Sequence, residues 1–254
     1  MEDLYGVGSG DIGEVNRMTA EQFKTGEVAY NLGEGFFQHI GADDRPVLDS
    51  THHEVLYNDS QYYNVHEYDD YGFCKLCDDY EPAVLEEDTD DIDNDGNKTE
   101  PVCIISNAGK LYWFANKVNS GEHDLNAVLT DYISIGYKND AVLDDYGIYN
   151  SDSQELFRKW TPIGSDVGNH CYSGTFDGKG FAIWGLFCNN TNDDSVGLFG
   201  NVTGGTIKNV DICVSYFHSN GHAGSIAGAI SEKSTIENCH VLCDADINGD
   251  NKYA

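Results

Sequence analysis

The sequence has few basic residues, and arginine is the scarcest of them. Its 254 residues include 14 lysines and arginines against 44 aspartates and glutamates, a formal net charge of −30 at pH 7. The only arginines are Arg17, Arg45 and Arg158. So acidic a chain repels nucleic acid and anionic membranes, and it disfavours polyanionic sugars. We therefore expect no nucleic-acid partner, whereas divalent cations, a cationic partner or simply a solvated secreted surface would suit the charge.

Long apolar runs are also missing. No stretch reaches the about 18 apolar residues that a spanning helix needs, so we expect no membrane insertion. No signal peptide follows Met1, and residues 12–15 echo a later repeat, so we interpret the chain as a fragment of a longer repetitive protein. Phosphate loops, dinucleotide fingerprints and Gly-x-Ser-x-Gly motifs do not occur either.

What the chain does contain is a repeated pattern over 160–239. The first copy has Val-Gly-Leu-Phe-Gly at 196–200 and Gly-Thr-Ile-Lys-Asn-Val at 205–210; the second has Ala-Gly-Ser-Ile-Ala-Gly at 223–228 and Ser-Thr-Ile-Glu-Asn-Cys at 234–239. Ile207 and Ile236 are 29 residues apart, and Val196 and Ala223 are 27 apart, a period typical of repeat architectures. The apolar bursts have the length of strands, and Gly and Asn mark turns. The pattern predicts a mainly β solenoid of stacked short strands.

These residues resemble the GLUG-repeat family of bacterial secreted and surface proteins. The resemblance rests on Gly-Thr-Phe-Asp-Gly-Lys-Gly at 174–180 together with 196–200 and 205–210, and it covers 160–254. Segments 18–48 and 105–129 look like segments that accompany such repeats. The family implies a right-handed parallel β-helix, a secreted or cell-surface location, and a role in adhesion or display. Its partners would be a host protein, a glycan or other segments of the same fibre, and it implies no catalytic residues.

Composition divides the chain into three parts. Residues 1–82 are predicted to form a small α+β segment, 83–101 an acidic linker, and 102–254 the solenoid. A capping box at Thr19 and Gln22 predicts a helix over 16–31. A second helix is predicted over 106–119, capped by Ser106, with Leu111, Phe114, Ala115 and Val118 on its apolar face. Because the open end of a solenoid exposes apolar side chains, we expect this helix to cover the first coil.

Cys74 and Cys77 form a Cys-x-x-Cys pair, and His66 and the neighbours His52 and His53 precede it. Such a pair can direct two thiolates at one zinc ion, because the intervening turn aims both sulfurs inward. His66 and His53, which we prefer over His52, would complete a Cys₂His₂ set. A structural zinc ion would stabilise a segment that has few aliphatic residues. A local disulfide and free thiols are the alternatives, and both stay open at this point.

The acidic segment contains the first half of a calcium-loop pattern. Asp91, Asp93 and Asp95 alternate, and Gly96 and Thr99 follow. Oxygen ligands at alternate positions can surround a calcium ion, but the bidentate glutamate that should end the loop is missing. A solvated linker without metal is the alternative. A similar partial match at 244–250 falls where the repeat should turn, and we predict a turn there.

We predict no catalytic function for this fragment. The alternative is a carbohydrate-active β-helix enzyme, a glycosidase or a lyase. A glycosidase needs two carboxylates about 5–9.5 Å apart, and Asp177, Asp193 and Asp194 are the solenoid candidates. With 44 acidic residues, however, pairs arise by chance, and Asp177 lies in a turn motif. A lyase needs cations to hold a polyuronate, and these are scarce.

Overall fold

A computed structural model of the chain describes residues 18–58, 60–135, 157–164, 171–190, 195–231 and 233–242, and the backbone of 245–251. The described chain is mainly β. It divides into two compact units: unit 1 is Met1–Glu67 with Cys74–Asp79, and unit 2 is Tyr68–Phe73 with Tyr80–Ala254. The echo at 12–15 and the carboxylates of Asp193 and Asp194 lie outside the described residues. No helix in the described part is long and apolar enough to cross a membrane.

The described part of unit 1 begins with two short helices, α1 (Ala20–Lys24) and α2 (Glu27–Leu32). The predicted capping box is present, since the Gln22 N–H donates to Thr19 Oγ1 at 3.2 Å and the Thr19 N–H donates to Gln22 Oε1 at 2.8 Å. The prediction of one continuous helix over 16–31 is wrong. Gly26, at φ 87°, separates the two helices, and a Cβ there would lie 2.6 Å from Ile40 and 2.9 Å from Val55.

The remainder of unit 1 is organised by a hairpin of β1 (Val55–Asn58) and β2 (Gln61–Asn64). The strands are antiparallel and Val55 pairs with Asn64, so the open end of the hairpin lies at these two residues. The Asn64 side chain ties that end to the segment at 38–40. Its Nδ2 donates to the Gln38 carbonyl at 2.8 Å, and its Oδ1 accepts from the Ile40 N–H at 2.8 Å.

Unit 2 contains one described helix and a series of short strands. The helix is α3 (Ala108–Asn119). The strands are β3 (Val84–Glu87), β4 (Pro101–Ile105), β5 (Asn126–Leu129), β6 (Ile133–Ser134), β7 (Thr175–Asp177), β8 (Ala182–Trp184), β9 (Phe187–Asn189), β10 (Ser195–Val196), β11 (Phe199–Val202), β12 (Thr206–Lys208), β13 (Asp211–Cys213), β14 (Ser215–Ala223), β15 (Ala227–Ile230), β16 (Thr235–Glu237), β17 (His240–Val241) and β18 (Ala245–Asn251).

These strands form several sheets. The largest has the order β16-β12-β7-β5-β4-β3, and a second has the order β17-β13-β8-β6. In a third sheet β14 pairs with β10, β18 and β9, and β11 and β15 form a separate two-stranded sheet. All these pairings are parallel except that of β3 with β4. Residues about one repeat apart therefore become neighbours across a strand pair.

The register follows the period of the sequence. Ile207 pairs with Ile236 on one side and with Phe176 on the other, and Val196 pairs with Ala223. Both register pairs that the repeat spacing predicts are thus present. Phe176, Ile207 and Val196 are fully buried, so the aligned positions form the interior of unit 2. Their burial supplies the apolar stabilisation that such short strands lack on their own.

Helix α3 packs its apolar face into the same interior. Leu111, Phe114 and Val118 are fully buried, as predicted. The predicted cap at Ser106 is wrong, because the helix starts one residue later, with Asn107 as N-cap. The Asn107 Oδ1 accepts from the Lys110 N–H at 2.9 Å. Asn and Ser side chains can both accept a hydrogen bond from an unpaired N–H group in the first turn of a helix. Asn107, which lies nearer to the helix than Ser106, is therefore the N-cap.

The segment at 83–101 differs from the free linker predicted from its composition. Its first part is β3, which pairs antiparallel with β4. In its middle Ile92 is buried against Val102 and Val128. The Ile92 carbonyl also accepts from Lys208 Nζ at 2.7 Å. A strand pairing, a buried apolar residue and the hydrogen bond from Lys208 thus anchor this acidic stretch within unit 2.

The predicted turn at 244–250 is also wrong. Residues 245–251 form β18, which runs parallel to β14 from Ser215↔Ala245 onward. Gly and Asn in this stretch indicated a turn, but an adjacent strand with free hydrogen-bonding groups overrides that local preference.

Candidate metal centre

Three short segments of unit 1 carry the predicted zinc ligands. His53 lies two residues before β1 and His66 two residues after β2, so the antiparallel register places both at the open end of the hairpin. Cys74 and Cys77 lie on a turn in which the Cys74 N–H donates to the Asp79 carbonyl at 2.9 Å. The Leu76 N–H is 3.5 Å from Cys74 Sγ, so the turn directs this sulfur inward.

The structure brings all four predicted ligands together. One ligand atom from each of His53, His66, Cys74 and Cys77 lies within 4.8 Å of the others. His53 Nε2 is 3.2 Å from Cys77 Sγ and 3.4 Å from Cys74 Sγ, and His66 Nδ1 is 3.4 Å from Cys77 Sγ. Tetrahedral zinc with ordinary Zn–N and Zn–S bonds separates neighbouring ligand atoms by about 3.3–3.8 Å. The observed separations are close to those of a metal-bound set.

Both histidines are oriented by a second hydrogen bond. His66 turns Nδ1 toward Cys77 and places Nε2 3.2 Å from Asp79 Oδ2. His53 turns Nε2 toward the sulfurs and has a hydrogen bond to the backbone of Val65. Metal-binding histidines almost always have such a partner on the nitrogen that faces away from the metal. Sequence reasoning missed Asp79, although its position two residues after Cys77 puts it on the same turn.

The protonation preferences describe the cluster without a metal ion. Burial, with the nearby imidazoles of His66 and His39, lowers the pKa of His53, so the ring is neutral at pH 7. Burial raises the pKa of the Cys77 thiol to about 12. A metal ion binds thiolate, so its arrival would displace the proton of Cys77. The cluster can therefore hold a metal ion such as zinc.

The structure also bears on the alternatives for the two cysteines. All cysteines in the described part of the chain are free thiols, and Cys74 and Cys77 are among them. Cys74 is buried and Cys77 is half-buried. Both face imidazole nitrogens at hydrogen-bonding distance, which is a ligand-like arrangement.

The adjacent histidine, His52, is separate from this set. Its ring stacks on His39 with centroids 4.4 Å apart, and its Nε2 is 3.5 Å from Asp43 Oδ2. The preference for His53 over His52 as the fourth ligand therefore agrees with the geometry. Sequence reasoning missed His39 and Asp43 because they lie thirteen and nine residues before His52, with no motif linking them to the histidine pair.

An open cavity of ≈ 640 Å³ borders the cluster. Its lining includes His53, His66 and Cys77 together with His39, Lys75 and Asp79. Water and small solutes can therefore reach these side chains without any rearrangement of unit 1.

The predicted calcium residues are only partly gathered. Carboxylate oxygens of Asp91, Asp93 and Asp95 lie within 4.8 Å of one another, and Asp93 also lies near Asp88 and Glu100. The Thr99 hydroxyl instead donates to Asn97 Oδ1 at 2.9 Å. Several of the carboxylates accept backbone N–H groups of the loop itself, as Asp91 Oδ1 does from Gly96 at 3.0 Å. Calcium binding here stays a prediction.

Asp177, the one described carboxylate among the glycosidase candidates, has structural partners. Its Oδ1 accepts from the Lys179 N–H at 2.8 Å and from Asn209 Nδ2 at 2.9 Å. Its Oδ2 is 3.7 Å from Lys179 Nζ and 3.9 Å from Lys208 Nζ. This buried side chain holds the turn after β7 and the neighbouring turn of the next repeat together.

Comparisons of the chain with protein-family models, with curated proteins and with solved structures gave no match. The arrangement of the side chains must therefore support the functional argument by itself.

Proposed function

We propose that unit 1 holds one structural zinc ion, bound by His53, His66, Cys74 and Cys77. The observation that supports this is the clustering of four ligand atoms within 4.8 Å. Two thiolates and two imidazoles suit zinc, and four protein ligands leave no position for a reacting water. The ion would therefore perform no chemistry. It would stabilise unit 1, whose described residues are mostly loops around a two-stranded hairpin.

The test compares the zinc content of three proteins purified in parallel. Cys74→Ser should lower the bound zinc by one equivalent relative to the wild type. Cys239→Ser should leave it unchanged, because Cys239 is a half-buried thiol of unit 2 that lies far along the chain from the cluster. Equal zinc in all three would reject the site. So would a mass two hydrogens light for Cys74 and Cys77, because that mass indicates a disulfide.

For unit 2 we propose a parallel β-helix with α3 covering one end. Support comes from parallel pairs that follow the repeat: Thr175, Thr206 and Thr235 align, as do Ile183, Ile212 and Val241. Fully buried Leu111, Phe114 and Val118 on α3 fit the role of a cap over apolar coils. The right-handed sense rests on the resemblance to GLUG repeats.

We further propose that the chain is a non-catalytic module of a secreted or surface-displayed bacterial repeat protein, acting in adhesion. Unit 1 offers a contact surface of tyrosines. The Tyr57 ring lies 5.9 Å from that of Tyr30 and 4.7 Å from that of Tyr62. Tyr30 and Tyr57 are exposed. Tyrosines give contact area to a glycan or protein at low entropy cost.

Binding to immobilised glycans and host extracellular proteins tests this role. We expect a ligand whose binding weakens on Tyr57→Ser and is unaffected by Tyr132→Ser, an exposed tyrosine of unit 2. If no ligand binds, or if both variants bind like the wild type, the adhesive role of this surface is wrong and a passive stalk is favoured.

A further inference from the structure

A second group of metal-ligating side chains lies in unit 1 outside the Cys₂His₂ cluster. It consists of His39, Asp43 and His52, each of which offers one ligand atom within 4.8 Å of the other two. The closest measured pair is His52 Nε2 and Asp43 Oδ2, at 3.5 Å. The side chains of His52 and Asp43 are 24% and 23% exposed, so solvent and ions reach the group.

The backbone holds this group in place. The Asp43 Oδ2 accepts from the His39 N–H at 2.6 Å, and the Asp43 N–H donates to the His39 carbonyl at 2.9 Å. A tight turn therefore sets His39 and Asp43 side by side. The Gln38 N–H donates to the His53 carbonyl at 2.9 Å, which joins this turn to the segment that carries His52. Preorganised ligands of this kind lose little conformational freedom when a metal binds.

His39 supplies an independent observation. Its Nε2 is buried and has no hydrogen-bond partner among the described residues. Buried polar atoms almost always have a partner, and an exception indicates a missing water, ion or ligand. The ring stacks on His52 at an interplanar angle of 25°, with centroids 4.4 Å apart, so the two imidazoles are in contact.

We propose that His39, Asp43 and His52 bind a second divalent transition-metal ion, separate from the structural zinc. Two imidazoles and one carboxylate suit zinc, cobalt or nickel. Because this site has no thiolate, it lacks the preference of the first site for metals that bind sulfur. Three protein ligands leave at least one coordination position open to water or a small exogenous ligand. His39 also lines the ≈ 640 Å³ cavity.

Cobalt separates the two sites because only the first has sulfur ligands. Metal-free, reduced protein is titrated with Co²⁺ while the absorption spectrum is recorded. The first equivalent should produce thiolate-to-cobalt charge-transfer bands in the near ultraviolet. The second should add visible d–d bands without further charge transfer. Azide added at two equivalents should change only the second set, because the first site is closed.

Two variants assign the second equivalent. Asp43→Asn and His52→Ala should each weaken it by at least about tenfold while the charge-transfer bands of the first stay, which also shows that unit 1 is folded. Asp131→Asn, at an exposed carboxylate of unit 2 outside these groups, is the matched control and should change neither. The proposal is overturned if one equivalent binds in total. It is also overturned if the second equivalent still binds in both variants, because the ion would then be bound adventitiously by other carboxylates. An unchanged d–d spectrum of the second equivalent on addition of azide would likewise overturn it, because the site would then have no open coordination position.

Discussion

Gly109 lies in the first turn of α3, where its N–H donates to the Tyr71 carbonyl at 2.7 Å. A Cβ at this position would lie 1.9 Å from the Gly72 carbonyl oxygen and 2.4 Å from the Gly72 carbonyl carbon. Both are backbone atoms, and Gly72 has a left-handed φ of 85°. The close approach of two chain segments, not helix propensity, therefore determines which residue can stand here.

Gly109→Ala should destabilise unit 2 although alanine is the better helix former. The propensity gain is about 1 kcal/mol, and overlap with fixed backbone costs more than that, typically about 1–3 kcal/mol. Asn116→Ala, at an exposed position of the same helix, should be neutral or slightly stabilising. Urea unfolding followed by tryptophan fluorescence measures both. A stability of Gly109→Ala at or above that of the wild type would contradict the predicted backbone contact.

Individual residues also show how far the sequence could predict the site. The Cys-x-x-Cys turn and the two histidines were sufficient to predict the four clustered ligands, because local chemistry selects them. His39 and Asp43 were not predictable, since only the folding of the 38–43 turn onto the segment before β1 brings them to His52. Asp79 was within reach of sequence reasoning, because a carboxylate beside a ligand turn is a common partner for a ligating histidine.

At the scale of elements, Ile207 and Ile236 occupy the same position on the neighbouring strands β12 and β16. Ile207 is fully buried, whereas Ile236 is 38% exposed. Ile207→Ala should therefore cost about 2–5 kcal/mol, because it leaves a cavity in the interior of unit 2. Ile236→Ala should cost about 1 kcal/mol or less. The same fluorescence-detected unfolding measures both, and equal losses would mean that the two strands are not packed as described.

The repeat made the register of these strands predictable, because each strand pairs with the strand one period away. The irregular elements were not predictable on the same grounds. The pairing of β3 with β4 is antiparallel and lies in an acidic stretch whose composition resembles a linker. Similarly, β18 is a strand with turn-like residues, and its partner β14 supplies the hydrogen bonds that decide its conformation. Tertiary pairing overrides local composition in both cases.

At the scale of the whole molecule, the chain passes from unit 1 into unit 2 and back within the metal-binding segment. Residues 68–73 stand between His66 and Cys74 in the sequence but belong to unit 2. Arg158 holds them there: its Nη2 is 3.0 Å from Asp69 Oδ2, and its guanidinium lies 3.7 Å from the centre of the Phe73 ring. From composition we predicted a domain boundary at 82. The contact between Asp69 and Arg158 joins residues that are 89 positions apart, so the sequence around Asp69 does not reveal it.

This division predicts how the protein responds to loss of metal. A chelator should speed hydrogen exchange at 50–67 and 74–79, because the proposed zinc links segments that otherwise have few apolar contacts. Exchange at 68–73 should stay slow, since its partners are in unit 2. Trp113, Trp160 and Trp184 all belong to unit 2, so tryptophan fluorescence should not change either.

Mass spectrometry of deuterated peptides, with and without chelator, measures this pattern. Cys74→Ser supplies the control: its exchange at 50–67 should be fast from the start and insensitive to chelator. If 68–73 were released together with its flanks, Arg158 would not be the anchor of that segment. If chelator changed the tryptophan fluorescence, the metal would stabilise unit 2 as well, and a zinc ion confined to unit 1 would be insufficient to explain it. Slow exchange at 68–73 beside fast exchange on both sides is therefore the outcome that only two separately stabilised units produce.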